Sequence, residues 1–578
     1  MLSTMQELPL NLSRILQYGS QVHGNSIITT AYGNNLQETS YREVGARASA
    51  LAHALYDELG ITGDQRVGSF MHNTVEHLET LFAVMCMGAV FNPLNRQLMN
   101  DQIQHIINHA EDEIIIADPL LADQLSFILS LGCPTVRAVI FIGSPNLTEL
   151  SQKLPDNIKT YSYEALLDGR PTIFDWPILP ENAAAAICYS TGTTGAPKGV
   201  AYSQRSLYLQ SLSLQTTNSM AITHGETFLC CVPIYHVLSW GVPIAAFMSG
   251  TSMVLPGADL SPAALARIIA ETHPRVSHGV PSLWIQLFVY YMRNTPERMS
   301  LQEIFVGGSA APSILIRMWE ERYGVDVIQV WGMTETSTVG TVARPPQGVS
   351  GEAREAYRIS QGRFPASLEY RVVNNGEIQS ATDRNQGEIQ VRGNWVTAHY
   401  YQSPTEQNNG IASTFRGEKI DAINNSSDQF TSDGWLHTGD VGSVTSDGFL
   451  TIHDRERDVI RSGGEWIYSA LLENEIMAAT NVVECAVIGY PDKQWGERPL
   501  AVTVLTQDVE PGRATAEALR ARLHDSFPKW MLPEYWTFVS HIDKTSVGKF
   551  DKINLRQHLA QGDYDVIVLQ GPGRDQTR

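Results

Sequence analysis

An α/β protein with a smaller α+β portion toward its C-terminal end is what the hydrophobic patterning predicts, and three observations carry this. Helix-period and strand-period segments alternate from the N-terminal region to Trp331. Past Asp454 the alternation gives way to strand-like runs at 484–489, 500–505 and 535–540, with helix patterns at 469–479 and 514–525. The length, 578 residues, exceeds what one ordinary core accommodates. The expected division is a large N-terminal domain of layered α/β subdomains over 1–454, a small domain over 455–560 and a tail over 561–578, with the boundary in the charged stretch Asp454 to Asp458.

The elements follow in order. Ser40 and Glu43 form a capping box, and Val44, Ala48, Leu51, Leu55 and Leu59 then recur at helical spacing up to Gly60. A strand at 66–71, a helix at 73–87 and a strand at 89–92 make a βαβ signature. The alternation resumes with strands at 228–232, 252–255, 304–306 and 325–331 and helices at 262–272 and 312–323. From Gly387 to Tyr401 the strands are shorter. The polar stretch 403–432, with Asn424, Asn425, Ser426 and Ser427, reads as a surface loop or insertion. The last ~15 residues read as a mobile tail.

With 43% apolar and 18% charged residues the composition is that of a soluble globular protein, and no run has the length of a membrane span. The N-terminal residues have neither a basic n-region nor an apolar h-region. The final Gln576, Thr577 and Arg578 do not match the SKL address, so a cytoplasmic location is expected in preference to a peroxisomal one. A net charge of −20 disfavours nucleic acid and anionic membrane surfaces as partners. Basic residues gather around 455–461 and 544–556, where small anionic substrates or a solvated face are alternative readings. The six cysteines show no CxxC spacing and sit mostly in apolar runs, as reduced core thiols do.

The most informative stretch is Tyr189 to Gly199. It places Gly, Thr and Ser residues and Lys198 directly behind an apolar strand at 183–188. Such a loop offers backbone N–H groups, hydroxyls and a cation to one small volume, as a polyphosphate requires. The spacing is not that of the Walker loop. A strand ending in Trp331, Gly332, Met333, Thr334 and Glu335 brings a carboxylate and a hydroxyl suited to Mg²⁺ on a nucleotide phosphate, and an aromatic able to cover a purine. Gly307, Gly308, Ser309 and Ala310 carry almost no bulk, which suits a flat ring. Asp440 is an acceptor for ribose hydroxyls and Lys549, beside Gly548, a mobile cation.

With these motifs in this order, over roughly residues 10 to 560, the chain resembles the adenylate-forming superfamily of acyl-CoA synthetases, luciferases and nonribosomal adenylation domains. Residues 232–241, 329–336 and 461–469 look most like medium-chain fatty acyl-CoA ligases of the alkane-utilisation type; similar enzymes occur in fungal secondary-metabolite and toxin pathways. The resemblance implies the adenylate-forming enzyme fold with a mobile C-terminal domain. It implies two half-reactions: a carboxylate attacks the α-phosphate of ATP, and CoA then displaces AMP. The expected partners are a small carboxylic acid, ATP and CoA, with Mg²⁺, no nucleic acid, no stable membrane insertion, and a homodimer allowed.

The implied site residues are as follows. Ser190, Thr191, Gly192, Thr193, Thr194, Gly195 and Lys198 hold the β- and γ-phosphates, Glu335 binds Mg²⁺ and Thr334 touches the α-phosphate. Trp331 and Gly332, with Gly308, Ser309 and Ala310, flank the adenine, while Asp440 and Arg455 take the ribose. Lys549 bridges the carboxylate and α-phosphate, Arg457 is the hinge, and Gly463, Gly464 and Trp466 face the pantetheine. His236 gates the acyl site or is a packed histidine; Val237, Leu238, Val280, Leu283 and Trp284 line the acyl pocket. Departures from the family are Arg457 itself, Ser203 and Gln204 where many relatives carry a His, and Asp551 near Lys549. A carrier-protein-loading amino-acid module is a weaker reading, since His236 stands where such modules carry an Asp. A catalytically silent acyl-binding protein has no need of Lys198, Glu335, Asp440, Arg455 and Lys549 together.

Overall fold

Short apolar strands, most followed by a helix, assemble into two largely parallel sheets in the first of two units of the chain, residues 1–369 with 391–436. The computed structural model describes residues 1–190, 196–382, 384–403, 414–415, 418–419, 429–463, 465–544 and 550–569. The mixed α/β class with a separate C-terminal portion is the one the patterning predicts.

The first sheet runs in the order Lys159–Ser162, Ala138–Phe141, Asp112–Ala117, Arg66–Phe70, Val90–Pro93, Ala184–Ser190 and Lys198–Ser203. All pairs are parallel except the last, in which the edge strand Lys198–Ser203 runs antiparallel to Ala184–Ser190. The second sheet places Asp326–Trp331, Glu303–Val306, Val276–Gly279, Thr227–Cys230, Ser252–Leu255 and Ile27–Tyr32 side by side in parallel, with Asn35–Ser40 antiparallel at the edge. Strand order reverses at Thr227–Cys230, which is flanked by the next two strands of the chain, one on each side. Ligands of open α/β sheets bind beyond the carboxyl ends of strands at such a switch point.

The helices form where their caps and apolar stripes place them. Ser40 accepts from Glu43 N and the Glu43 side chain accepts from Ser40 N, completing the capping box of Tyr41–His53. The stripe continues into a π-helical turn, Ala54–Glu58, before Gly60 at φ +65 ends the run. Pro262–Thr272 starts behind the capping Ser261 and ends at His273 in the left-handed region. Ser203, one of the departures, caps Gln204–Leu214 by accepting from Ser206 N at 3.0 Å. Gln204, the other, is fully buried and bonds Leu12 N and Met85 O, fixing the first helix.

The second unit, residues 370–390 with 437–578, contains the hairpin in which Asp440 to Val444 pair with Leu450 to Arg455, and a sheet built on Val482–Asp492, Gly496–Leu505 and Tyr535–Phe538. Asp454, where composition places the end of the N-terminal domain, lies inside this unit, because its buried carboxylate accepts from Ser469 N at 2.5 Å and Ser469 Oγ at 2.6 Å. The polar stretch 403–432 falls largely outside the described residues. All six cysteines are free and buried, and burial pushes the thiols of Cys133, Cys188 and Cys231 up to about 12. Among the described residues no helix is long and apolar enough to cross a membrane.

Candidate active site

Beyond the carboxyl ends of the parallel strands in the second sheet lie the segments singled out in the sequence: His236 to Gly241 after Thr227–Cys230, Val280 to Leu283 after Val276–Gly279, Gly307 to Ala310 after Glu303–Val306, and Gly332 to Glu335 after Asp326–Trp331. One sheet edge therefore collects groups spread over 100 residues of chain, 236 to 335.

The turn after Trp331 is specified by steric need. A Cβ on Gly332 would lie 1.3 Å from the Thr338 carbonyl oxygen, because Thr338 N bonds Met333 O and Gly340 N bonds Trp331 O, folding the turn back on itself. Thr334–Thr336 is a single 3-10 turn that leaves Thr334 half-buried and Glu335 buried. Glu335 Oε1 accepts from the Tyr400 hydroxyl at 2.7 Å and its carbonyl accepts from Thr397 N at 2.8 Å. The Tyr202 hydroxyl donates to Thr334 O at 2.7 Å. Burial and the facing carboxylate push the Tyr400 phenol well above its ordinary value, so the hydroxyl is the donor.

Lys198 opens its strand opposite Ser190, with Ser190 Oγ 3.4 Å from Lys198 O, and its ammonium stands 4.8 Å from the centroid of the Tyr400 ring. Tyr401 N donates to Gly199 O at 2.8 Å. Residues 395–401 thus tie the strand that carries Lys198 to the turn that carries Glu335. Thr191, Gly192, Thr193, Thr194 and Gly195 lie outside the described residues. Tyr400, Thr397 and Tyr202 are absent from the sequence-derived set. An aromatic pair ahead of a polar stretch was the available signal, but its partner 65 residues earlier in the chain was not readable.

Around the segment expected to bind the acyl group, Val237, Leu238, Ser239 and Trp240 are all left-handed, with φ between +47 and +56. Non-glycine residues pay about 1–2 kcal/mol each for this. Ser239 Oγ offsets part of the cost by donating to Val232 O at 2.7 Å and lying 3.2 Å from His278 Nε2. His236 is half-buried, packs 4.7 Å from the Tyr235 ring, and is lowered to about 4 by burial, so its imidazole is neutral at pH 7. Val280 and Leu283 are half-buried beside Gly308 and Gly279. Leu238 and Trp284 are wholly buried in the two cores, Trp284 edge-on to Trp319 at 6.1 Å. Gly308, Ser309 and Ala310 are exposed, and Trp331 is buried against Phe364 at 5.8 Å.

In the second unit Asp440 and Arg455 are cross-strand neighbours, with Arg455 Nε 2.8 Å from Asp440 Oδ1. Asp440 is buried, and Arg455 also donates to Thr438 O at 3.2 Å. The carbonyl of Arg457 accepts from Arg556 at 3.3 Å, and Arg556 pairs with Asp458 at 2.6 Å. Lys552 lies 2.7 Å from both Glu473 Oε1 and Ser469 Oγ, joining the helices Lys552–Gln561 and Ser469–Met477 and, through Ser469, Asp454. Asp551 caps Lys552–Gln561 by accepting from Asn554 N at 3.2 Å, which accounts for a carboxylate close to Lys549 in the chain. Gly463, at φ +62, donates to Trp495 O at 2.8 Å, and Trp466 is half-buried against Val441, Val459 and Tyr468. Gly464 and Lys549 lie outside the described residues.

Among the described residues no three His, Cys, Asp or Glu side chains gather into a metal cluster. A single carboxylate such as Glu335 is the donor set of a hard cation that takes its other ligands from substrate phosphates and water, so the residues present fit Mg²⁺ held with a nucleotide.

Among the described residues, Lys198 at the start of its strand and the carboxylate of the Thr334–Glu335 turn meet at Tyr400. Residues 20–401 match the AMP-binding enzyme family and residues 471–549 match the AMP-binding enzyme C-terminal domain; the chain belongs to this family. It is 34% identical to a medium-chain-fatty-acid–CoA ligase of Ectopseudomonas oleovorans over 96% of this chain and 97% of that protein. It is also 34% identical to a long-chain-fatty-acid–CoA ligase of Thermus thermophilus, covering 96% of each chain. The anthranilate CoA ligase AuaEII, solved in complex with anthranoyl-AMP, shares the fold with a TM-score of 0.80 at 22% identity, over 97% of this chain and all of that one.

Proposed function

We propose that the protein is an AMP-forming acid–thiol ligase that activates a medium-chain or related apolar monocarboxylic acid with ATP and transfers it to CoA. The observation that carries this reading is the pairing of Lys198 and Glu335 on one tyrosine, a cation and a carboxylate fixed for a single polyphosphate, in a chain whose full-length relatives are fatty-acid–CoA ligases. The carboxylate oxygen of the acid attacks the α-phosphorus of ATP and the bond to pyrophosphate breaks. The CoA sulfur then attacks the acyl carbon and AMP leaves. Neither step needs a protein nucleophile, so the chain contributes alignment and charge stabilisation.

In this reading Ser190 to Lys198 cradle the β- and γ-phosphates, Thr334 contacts the α-phosphate, and Asp440 with Arg455 orients the ribose. Trp331, Gly332 and residues 308–310 form the adenine side. Glu335 would hold Mg²⁺, which when bound neutralises phosphate charge. Lys549 serves adenylation, and Gly463, Gly464 and Trp466 serve thioester formation, with Arg457 as the hinge between the two arrangements. His236, Val237, Leu238, Val280, Leu283 and Trp284 build the acyl side, where Leu238 and Trp284 contribute from the core.

The acyl segments contain no cation for a second carboxylate and no acid for an amine. An unpartnered polar end costs ~1–3 kcal/mol, and each buried methylene gains about 0.8 kcal/mol. A panel of graded acids assayed for CoA-dependent AMP release tests the reading. kcat/KM should rise with chain length to an optimum at roughly six to twelve carbons and be low for dicarboxylates and amino acids. Preference for acetate, an amino acid or a carrier protein would overturn it.

A further inference from the structure

We propose that Tyr400 is a positioning residue for adenylation, its hydroxyl orienting the Glu335 carboxylate while its ring seats the Lys198 ammonium. The inference rests on the reading of Lys198 and Glu335 as triphosphate and metal groups, and adds a residue and a division of labour to it.

The geometry is specific to this side chain. The hydroxyl reaches Glu335 Oε1 at 2.7 Å and the ring centroid lies 4.8 Å from Lys198 Nζ. The backbone on either side is anchored to both partners' elements. Ser337 Oγ donates to Trp395 O at 2.8 Å and Thr397 N to Glu335 O at 2.8 Å, ahead of Tyr400; Tyr401 N donates to Gly199 O at 2.8 Å behind it. Phe430 packs edge-on to the Tyr400 ring at 5.8 Å. A carboxylate and an ammonium that serve one polyphosphate attract each other strongly when partly desolvated. A phenol offers each a different contact. The O–H takes one lone pair of Oε1 and leaves Oε2 for a cation, while the π-face holds the ammonium without neutralising it.

Two variants separate the contacts. Tyr400→Phe keeps the ring and removes the hydroxyl; Tyr400→Leu removes both. ATP binding in the absence of acid is measured by titration calorimetry with and without Mg²⁺, together with pyrophosphate release, thioester formation from supplied acyl-adenylate, and melting temperature. Tyr400→Phe should bind metal-free ATP as the parent does, lose roughly tenfold of the affinity gained on adding Mg²⁺, and slow pyrophosphate release to a similar degree. Tyr400→Leu should in addition bind metal-free ATP about two- to fivefold more weakly. Thioester formation should be unchanged in both. If Glu335→Gln loses the Mg²⁺-dependent gain while Tyr400→Phe keeps it, the positioning role is wrong and the reading of Glu335 stands. If Glu335→Gln keeps the gain, that reading falls and the Tyr400 role with it. Parallel losses in thioester formation and melting temperature in both variants would show that Tyr400 only supports the fold.

Discussion

A methyl group at Gly332 has nowhere to go, since its nearest neighbour, 1.3 Å away, is a backbone carbonyl that the return of the chain at Thr338 holds in place. Gly332→Ala should therefore open the turn that presents Thr334 and Glu335. We expect a lower denaturation midpoint, by about 1–3 kcal/mol of overpacking, and loss of pyrophosphate release. A variant with unchanged midpoint and rate would show that the turn relaxes freely. Lys549→Ala tests a different residue-level role. If this lysine contacts only the adenylation transition state, acyl-adenylate formation should fall ~10²- to 10³-fold while thioester formation from supplied adenylate persists. Equal loss of both half-reactions would contradict its one-sided role. His77 and His278, both buried and both lowered to about 4, give a pH signature. Their folded pKa lies below the unfolded value of 6.5, so the unfolded chain binds protons first as pH falls. Stability is retained above about 6.5 and lost between there and about 4, at up to ~1.4 kcal/mol per pH unit per histidine. Buried Glu79, raised to about 7, acts in the opposite direction between about 7 and its ordinary value. The histidine contribution is therefore read as a difference: His77→Gln should flatten the acid slope of the urea midpoint relative to the parent, and an identical slope would refute it.

At the scale of elements, the second unit depends on a buried polar junction rather than on apolar contact alone. Lys552, Glu473, Ser469 and Asp454 join two helices to the end of a hairpin through distances of 2.5 to 2.7 Å. Burial pushes the Asp454 and Glu473 carboxyls up, and the Lys552 ammonium opposes that shift in both. Lys552→Met would leave two buried carboxylates without it, at a cost of about 3–5 kcal/mol. Chemical denaturation monitored within this unit should show an early transition in the variant, and a coincident midpoint would exclude the junction as a stabilising element. The left-handed turn Val237–Trp240 stores strain of another kind, four residues deep. It points to a loop whose shape is dictated by what lies beside it, the switch point of the sheet, and not by its own propensity.

For the molecule as a whole, the two half-reactions are the behaviour to test. Arg457→Pro removes an N–H and holds φ near −65° at the proposed hinge. Pyrophosphate exchange should persist and thioester formation collapse; unchanged overall turnover would remove Arg457 from that role. Much of the architecture that frames this question was legible beforehand. The stripe of Val44, Ala48, Leu51 and Leu55 is buried as its spacing requires, and the helix Pro262–Thr272 spans the residues its pattern predicts. Those are local signals, in which neighbours along the chain meet on one face. The junction at Asp454 was not legible, because a charged run reads as a solvated linker unless its buried partners, Ser469 and Lys552, are known.

The order of motifs along the chain, with the family they define, and the alternation of helix and strand follow from the sequence by itself, since each depends on residues within about a dozen positions of one another. Sheet order does not. Ile27–Tyr32 pairs in parallel with Ser252–Leu255, more than 200 residues away, and nothing in either strand's composition names the other. The same holds for the site. Lys198 and Glu335 each announce their chemistry, but that one phenol holds both is decided only when Thr397 and Tyr401 dock on either side of Tyr400. Specific long-range contacts of this kind are paid for by the packed core as a whole, and so only the tertiary structure reveals them.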